Sequence, residues 1–108
     1  MKQNTESIGS AFGRRLIGKV TPGERDEIAA LFERKNGLTE LIRALAEDDD
    51  DLLKNSYFYE KIITDLGQTT TRHQEWWDRL AKHYAWESAP GCVWEIDFET
   101  CRIFLRNI

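Results

Sequence analysis

From Thr21 onward, apolar residues recur at three- and four-residue intervals: Ile28, Leu31, Phe32, Leu38, Leu41, Ile42 and Leu45. This is the period of an amphipathic helix. Thr21 is placed as its N-cap, Pro22 as its first residue and Glu24 at the third position. That is a capping box, with proline where its missing N–H costs nothing. The stripe is interrupted at Lys35-Asn36-Gly37, and a glycine inside a helix costs about 1 kcal/mol relative to alanine. The pattern predicts one helix from Pro22 to Ala46, bent near Gly37. Two helices joined at Asn36-Gly37 are the alternative. A second helical pattern runs from Asp51 to Ala85. Leu52, Tyr59, Leu66, His73 and Leu80 mark one heptad site, and Ser56, Ile63, Thr70, Trp77 and Tyr84 the other. Gly67, Gln68, Thr69, Thr70, Thr71 and His73 make its middle polar, so either the helix kinks there or a partner covers it.

Beyond Trp86, the stretch Glu87-Ser88-Ala89-Pro90-Gly91 stops helical growth. Cys92, Trp94, Ile96 and Phe98 then alternate onto one face of a strand. Asp97 to Cys101 reads as a type I turn with a bulge. Cys101 occupies the left-handed position where glycine is usual. Arg14 to Val20 is a candidate third strand alongside this hairpin. The fold class is therefore α+β, mostly α: a long antiparallel helical hairpin with a C-terminal β-hairpin. Residues 1–13 are expected to be flexible, and 14–108 to form a single domain.

Between the helices, Glu47 to Asp51 is acidic. An EF-hand needs further oxygen ligands and a glycine after its first acids, and Leu52-Leu53 follow instead. The run is read as a solvated turn whose last acids favour the start of the next helix.

Composition narrows the function classes. The chain has 108 residues, 41% hydrophobic and 11% aromatic, which suits one folded domain with a modest core. Its 19 acidic and 15 basic residues give a net charge of −4. That disfavours nonspecific nucleic-acid binding, which depends on neutralising phosphates. No apolar run is long enough to span a membrane and Met1 to Ser10 has no apolar signal core, so a cytoplasmic location is expected. Cys92 and Cys101 would sit at opposite ends of the hairpin, roughly 15 Å apart at about 3.3 Å per residue. A disulfide needs Cα atoms within about 7 Å, so both are read as free thiols.

Catalytic chemistry finds little support. His73 and His83 lie ten residues apart on one helix and do not face each other, and no His-Glu-x-x-His pattern occurs. Cys101 has Arg102 beside it but no positioned base. A small metal or thiol enzyme using His73 and Cys101 is the weakest alternative; no catalytic residue and no cofactor is expected.

The aromatics exceed what one helical seam holds. Trp76, Trp86, Trp94 and Phe104 are the candidate partner-binding residues, since exposed aromatics concentrate binding energy. A homodimer paired through the heptad seam is the structural alternative.

The segments Gly18-Lys19-Val20-Thr21, Leu31-Phe32-Glu33-Arg34-Lys35-Asn36, Glu75-Trp76-Trp77-Asp78 and Trp94 to Cys101 resemble the CXXX repeat peptide modification system proteins. The resemblance runs from Gly18 to Leu105. It implies a non-catalytic bacterial accessory protein whose partner is a cysteine-repeat precursor peptide or a radical-SAM maturation enzyme. The chain itself has neither a Cys-x-x-x repeat nor a Cys-x-x-x-Cys-x-x-Cys cluster site.

Overall fold

A computed structural model describes residues 13–48 and 57–108. In chain order the elements are β1 (Arg14–Lys19), α1 (Pro22–Asp48), α2 (Tyr57–Tyr84), β2 (Cys92–Asp97) and β3 (Arg102–Asn107). The fold class is the expected one: two long helices and a three-stranded antiparallel sheet, with the N-terminal strand included. The expected start of the second helix at Asp51, the last acids of the inter-helix turn and the flexibility expected before Gly13 fall outside the described residues. The chain divides into two compact units. The first holds residues up to Asp26 together with Arg79–Ile108, and the second holds Glu27–Asp78.

In the second unit the two helices run antiparallel. The Arg34 guanidinium grips the Asp65 carboxylate with both ends of its fork. Both helices are continuous, α1 through Gly37 and α2 through Gly67. The buried stripe of α2 is Ile62, Thr69 and Trp76, flanked by half-buried Tyr59, Leu66 and His73. This corrects one of the two predicted heptad sites by a single residue. Ile63, Thr70 and Trp77 do not form the seam; Ile63 is 40% exposed, whereas Trp76 is fully buried. The polar middle needs neither a kink nor a cover. Thr69 is buried, but its hydroxyl donates to Asp65 Oδ1 one turn back (3.2 Å). Gln68, Thr70 and Thr71 face solvent. A buried hydroxyl with its bond made carries no desolvation penalty of consequence.

In the first unit the capping box forms as expected. The Thr21 N–H donates to Glu24 Oε1 (2.9 Å), and the Glu24 N–H donates to Thr21 Oγ1 (3.1 Å). Tyr84, at the end of α2, adds its hydroxyl to the same carboxylate oxygen (2.7 Å). That helix ends ahead of the Pro-Gly stretch. Ala85 turns left-handed (φ 54°), and the Trp86 N–H returns to the Ala81 carbonyl (3.1 Å). This is a Schellman-type cap with alanine where glycine is usual.

The sheet order is β1-β3-β2. Leu16 pairs with Phe104, but Gly18 pairs with Ile103, so β1 carries a bulge at Ile17. The extra residue reverses the side on which later residues of β1 point. Gly18 thereby faces the core side, under the Trp86 indole. In the hairpin turn Cys101 is left-handed as expected (φ 62°), and its N–H donates to the Asp97 carbonyl (2.8 Å). Asp97 Oδ1 accepts the Glu99 N–H (3.0 Å), and Arg25 Nη1 donates to the Phe98 carbonyl (2.7 Å).

A left-handed residue with a Cβ costs about 1–2 kcal/mol, part of which glycine returns as unfolded-state entropy. Cys101→Gly and Ala85→Gly are each expected to raise stability by about 0.5–1 kcal/mol. The shift in urea midpoint at unchanged slope measures it.

Candidate functional site

The sheet has two faces of different character. The core face is Ile103, Leu105, Trp94 and Ile96, with Trp86 against it. Trp86 stacks on Tyr84 (5.6 Å between centroids) and meets Trp94 edge to face (6.1 Å). The Trp94 indole N–H donates to the Glu87 carbonyl (2.8 Å). The residues of the opposite face follow from the register. That face presents Arg14, Leu16 and Lys19 from β1, Arg102, Phe104 and Arg106 from β3, and Val93, Glu95 and Asp97 from β2. Leu16 is 46% and Val93 36% exposed. Phe104, between them, is covered by the Arg14 guanidinium, 3.9 Å above the ring centroid. Glu95 holds that roof in place. Its Oε2 accepts from Arg14 Nη1 (3.3 Å), and its Oε1 lies 2.9 Å from Arg106 Nε, a charge contact without hydrogen-bond alignment.

The predicted partner residues separate. Trp76 is fully buried in the second unit, and Trp86 is buried on the core face of the sheet. Neither presents a ring to a partner, which corrects the expectation for both. Trp94 is half-buried on the core face. Phe104 alone of the four lies on the open face, under its guanidinium lid. Leu16, Lys19, Val93 and Arg102 were not among the partner residues expected from sequence. Lys19 joins that face only through the bulge at Ile17, which the residue pattern does not mark.

The candidate reactive groups hold structural places. Cys92 Sγ donates to Asn107 Oδ1 (3.1 Å), at the end of the hairpin away from Cys101. Partial burial, then the charge of Lys35, hold His73 below its ordinary value of 6.5, so it stands neutral in the α1–α2 seam. His83 packs edge to face on Tyr84 (4.7 Å). No group of three His, Cys, Asp or Glu side chains among the described residues is placed to share a metal ion. A depression of about 600 Å³ in the second unit is lined by Arg34, Lys61, Asp65 and Arg72, among others. It is open to solvent, and Arg34 and Asp65 already satisfy each other. Among the described residues, no helix is long and apolar enough to cross a membrane.

Glu24 links the cap of α1 to the end of α2. Partial burial pushes its carboxyl up, but the Thr21 amide and the Tyr84 and Thr21 hydroxyls outweigh that and hold it below 4.5. A carboxyl with a lowered folded value stabilises the fold above its unfolded value and loses that contribution as pH falls through the lowered one. Stability is therefore expected to be full near neutrality and to decline below about pH 4.5. Glu24→Gln is expected to lie below the wild type at pH 7 and to converge on it in acid. Urea midpoints across pH for both proteins check this.

No family model, no curated protein and no solved structure matches this chain.

Proposed function

We propose that this chain is a non-catalytic accessory protein that binds an extended segment of a peptide or protein partner by adding it as a strand to its sheet. The observation that carries this reading is a three-stranded sheet whose edge strands, β1 and β2, are unpaired on their outer sides among the described residues, beside an open face with half-exposed Leu16 and Val93. Strand addition takes its affinity from main-chain hydrogen bonds and its selectivity from alternate side chains. The sequence resemblance supplies the setting: a cytoplasmic peptide modification system, with the precursor peptide or the maturation enzyme as the segment's source. Co-expression with the proteins encoded beside it, followed by mass measurement of whatever co-purifies, tests the proposal. A stoichiometric complex is expected. No binding to either partner at high micromolar concentration would sink it.

Self-assembly through the helices is the second reading. It is favoured by Phe32 and Ile63, 44% and 40% exposed. Ile63 belongs to a second heptad stripe beside the buried one. A monomeric mass by light scattering across a concentration series rejects it.

A further inference from the structure

The charge on the open face narrows the partner. Arg14, Lys19, Arg102 and Arg106 set four cations there against Glu95 and Asp97, on a chain whose net charge is −4. The cations form two like-charge pairs across the β1–β3 ladder, Arg14 with Arg106 and Lys19 with Arg102. Like charges directly opposite one another repel. The first pair is resolved by Glu95, which contacts both guanidinium groups. The second is not. Asp97 stands opposite Arg102 on β2, but its carboxylate turns into the loop. The Glu99 amide and the Thr100 hydroxyl and amide hold it there and keep its carboxyl below the ordinary value. Among the described residues no carboxylate bridges Lys19 and Arg102.

The two edges differ accordingly. On the open face, β1 offers Arg14, Leu16 and Lys19, basic with one apolar residue, whereas β2 offers Val93, Glu95 and Asp97. Two copies of the chain that pair β1 to β1 antiparallel over its full length set Arg14 of each opposite Lys19 of the other, cation against cation.

Resting on the strand-addition reading, we infer that the partner segment is acidic and extended, that it adds to the β1 edge, and that it seats a carboxylate between Lys19 and Arg102 with a neighbouring apolar side chain on Leu16. That carboxylate does for Lys19 and Arg102 what Glu95 does for Arg14 and Arg106.

The test is a fluorescence-anisotropy titration with two labelled peptides, one with glutamate and valine two residues apart, so that both point to one face, and threonine at the intervening positions, and one with lysine in place of glutamate. The glutamate peptide is expected to bind, and Lys19→Glu and Arg102→Glu each to weaken it by about tenfold. Lys19→Glu is expected to improve binding of the lysine peptide. Both side chains are exposed, so the variants should fold, which circular dichroism confirms. Equal binding of the two peptides, or no effect of either reversal, overturns the inference. Strand addition would still stand if a natural partner were captured and protected the β1 amides. Growth of mass with concentration in the chain alone, accompanied by slowed exchange of the β1 amides and with no peptide bound, also overturns it, because the occupant would then be the β2 edge of a second copy.

Discussion

Trp76→Ala is expected to cost about 3–5 kcal/mol, while Trp77→Ala, one residue on, costs far less. Trp76 is fully buried in the seam, and Trp77 is half-buried, its ring edge-on to Trp76 at 4.9 Å. Truncating Trp76 removes the largest fully buried side chain among the described residues and leaves a cavity in its place. Small domains have about 5–15 kcal/mol of stability in all, so this variant should unfold in part under native conditions. The same contrast should recur two turns of the heptad earlier. Ile62→Ala is expected to cost about 2–4 kcal/mol and Ile63→Ala under about 1 kcal/mol. Urea unfolding of the four variants measures both contrasts. Larger losses at Trp77 and Ile63 than at Trp76 and Ile62 would place the seam on the other stripe.

Gly18→Ala is expected to destabilise the sheet unit by about 1–3 kcal/mol through overpacking. A Cβ at residue 18 would lie 2.9 Å from Trp86 Nε1 and 3.2 Å from its Cδ1. The indole has nowhere to retreat, since Tyr84 stacks on it and Trp94 meets its edge. Loss of near-ultraviolet circular dichroism from the packed tryptophans, with a lower urea midpoint, is the expected signature. Gly67→Ala is the matched control. A Cβ there meets nothing within 4 Å, and a mid-helix glycine replaced by alanine should gain about 0.5–1 kcal/mol.

These contrasts mark where the residues speak plainly and where they do not. The capping box at Thr21-Pro22-Gly23-Glu24 identifies the start of α1 because its chemistry is local. The turn at Asp97–Cys101 is legible for the same reason, down to the left-handed cysteine. The seam of α2 is legible in period but not in phase. At three successive heptad steps the chain carries a doublet of the same residue, Ile62-Ile63, Thr69-Thr70 and Trp76-Trp77, so either member satisfies the pattern. Only the helix packed against them decides. The end of α2 is legible to one residue from the Glu87–Gly91 stretch, but its cap is not, because alanine rather than glycine takes the left-handed position. The candidate site was the least legible part. Size singled out the tryptophans, but large aromatics are what a core consumes first, and Trp76 and Trp86 went there. The open face is assembled from smaller and charged residues on three strands. Lys19 joins it through a bulge that only the pairing with β3 defines.

The central claim is that the β1 edge receives a strand. Hydrogen exchange of the Arg14–Lys19 amides, with and without the co-purified partner, addresses it directly. Outward-facing amides of β1 should exchange markedly more slowly in the complex, with β3 amides, already paired on both sides, little changed. Unchanged exchange across Arg14–Lys19, with protection appearing on the helices instead, would contradict it.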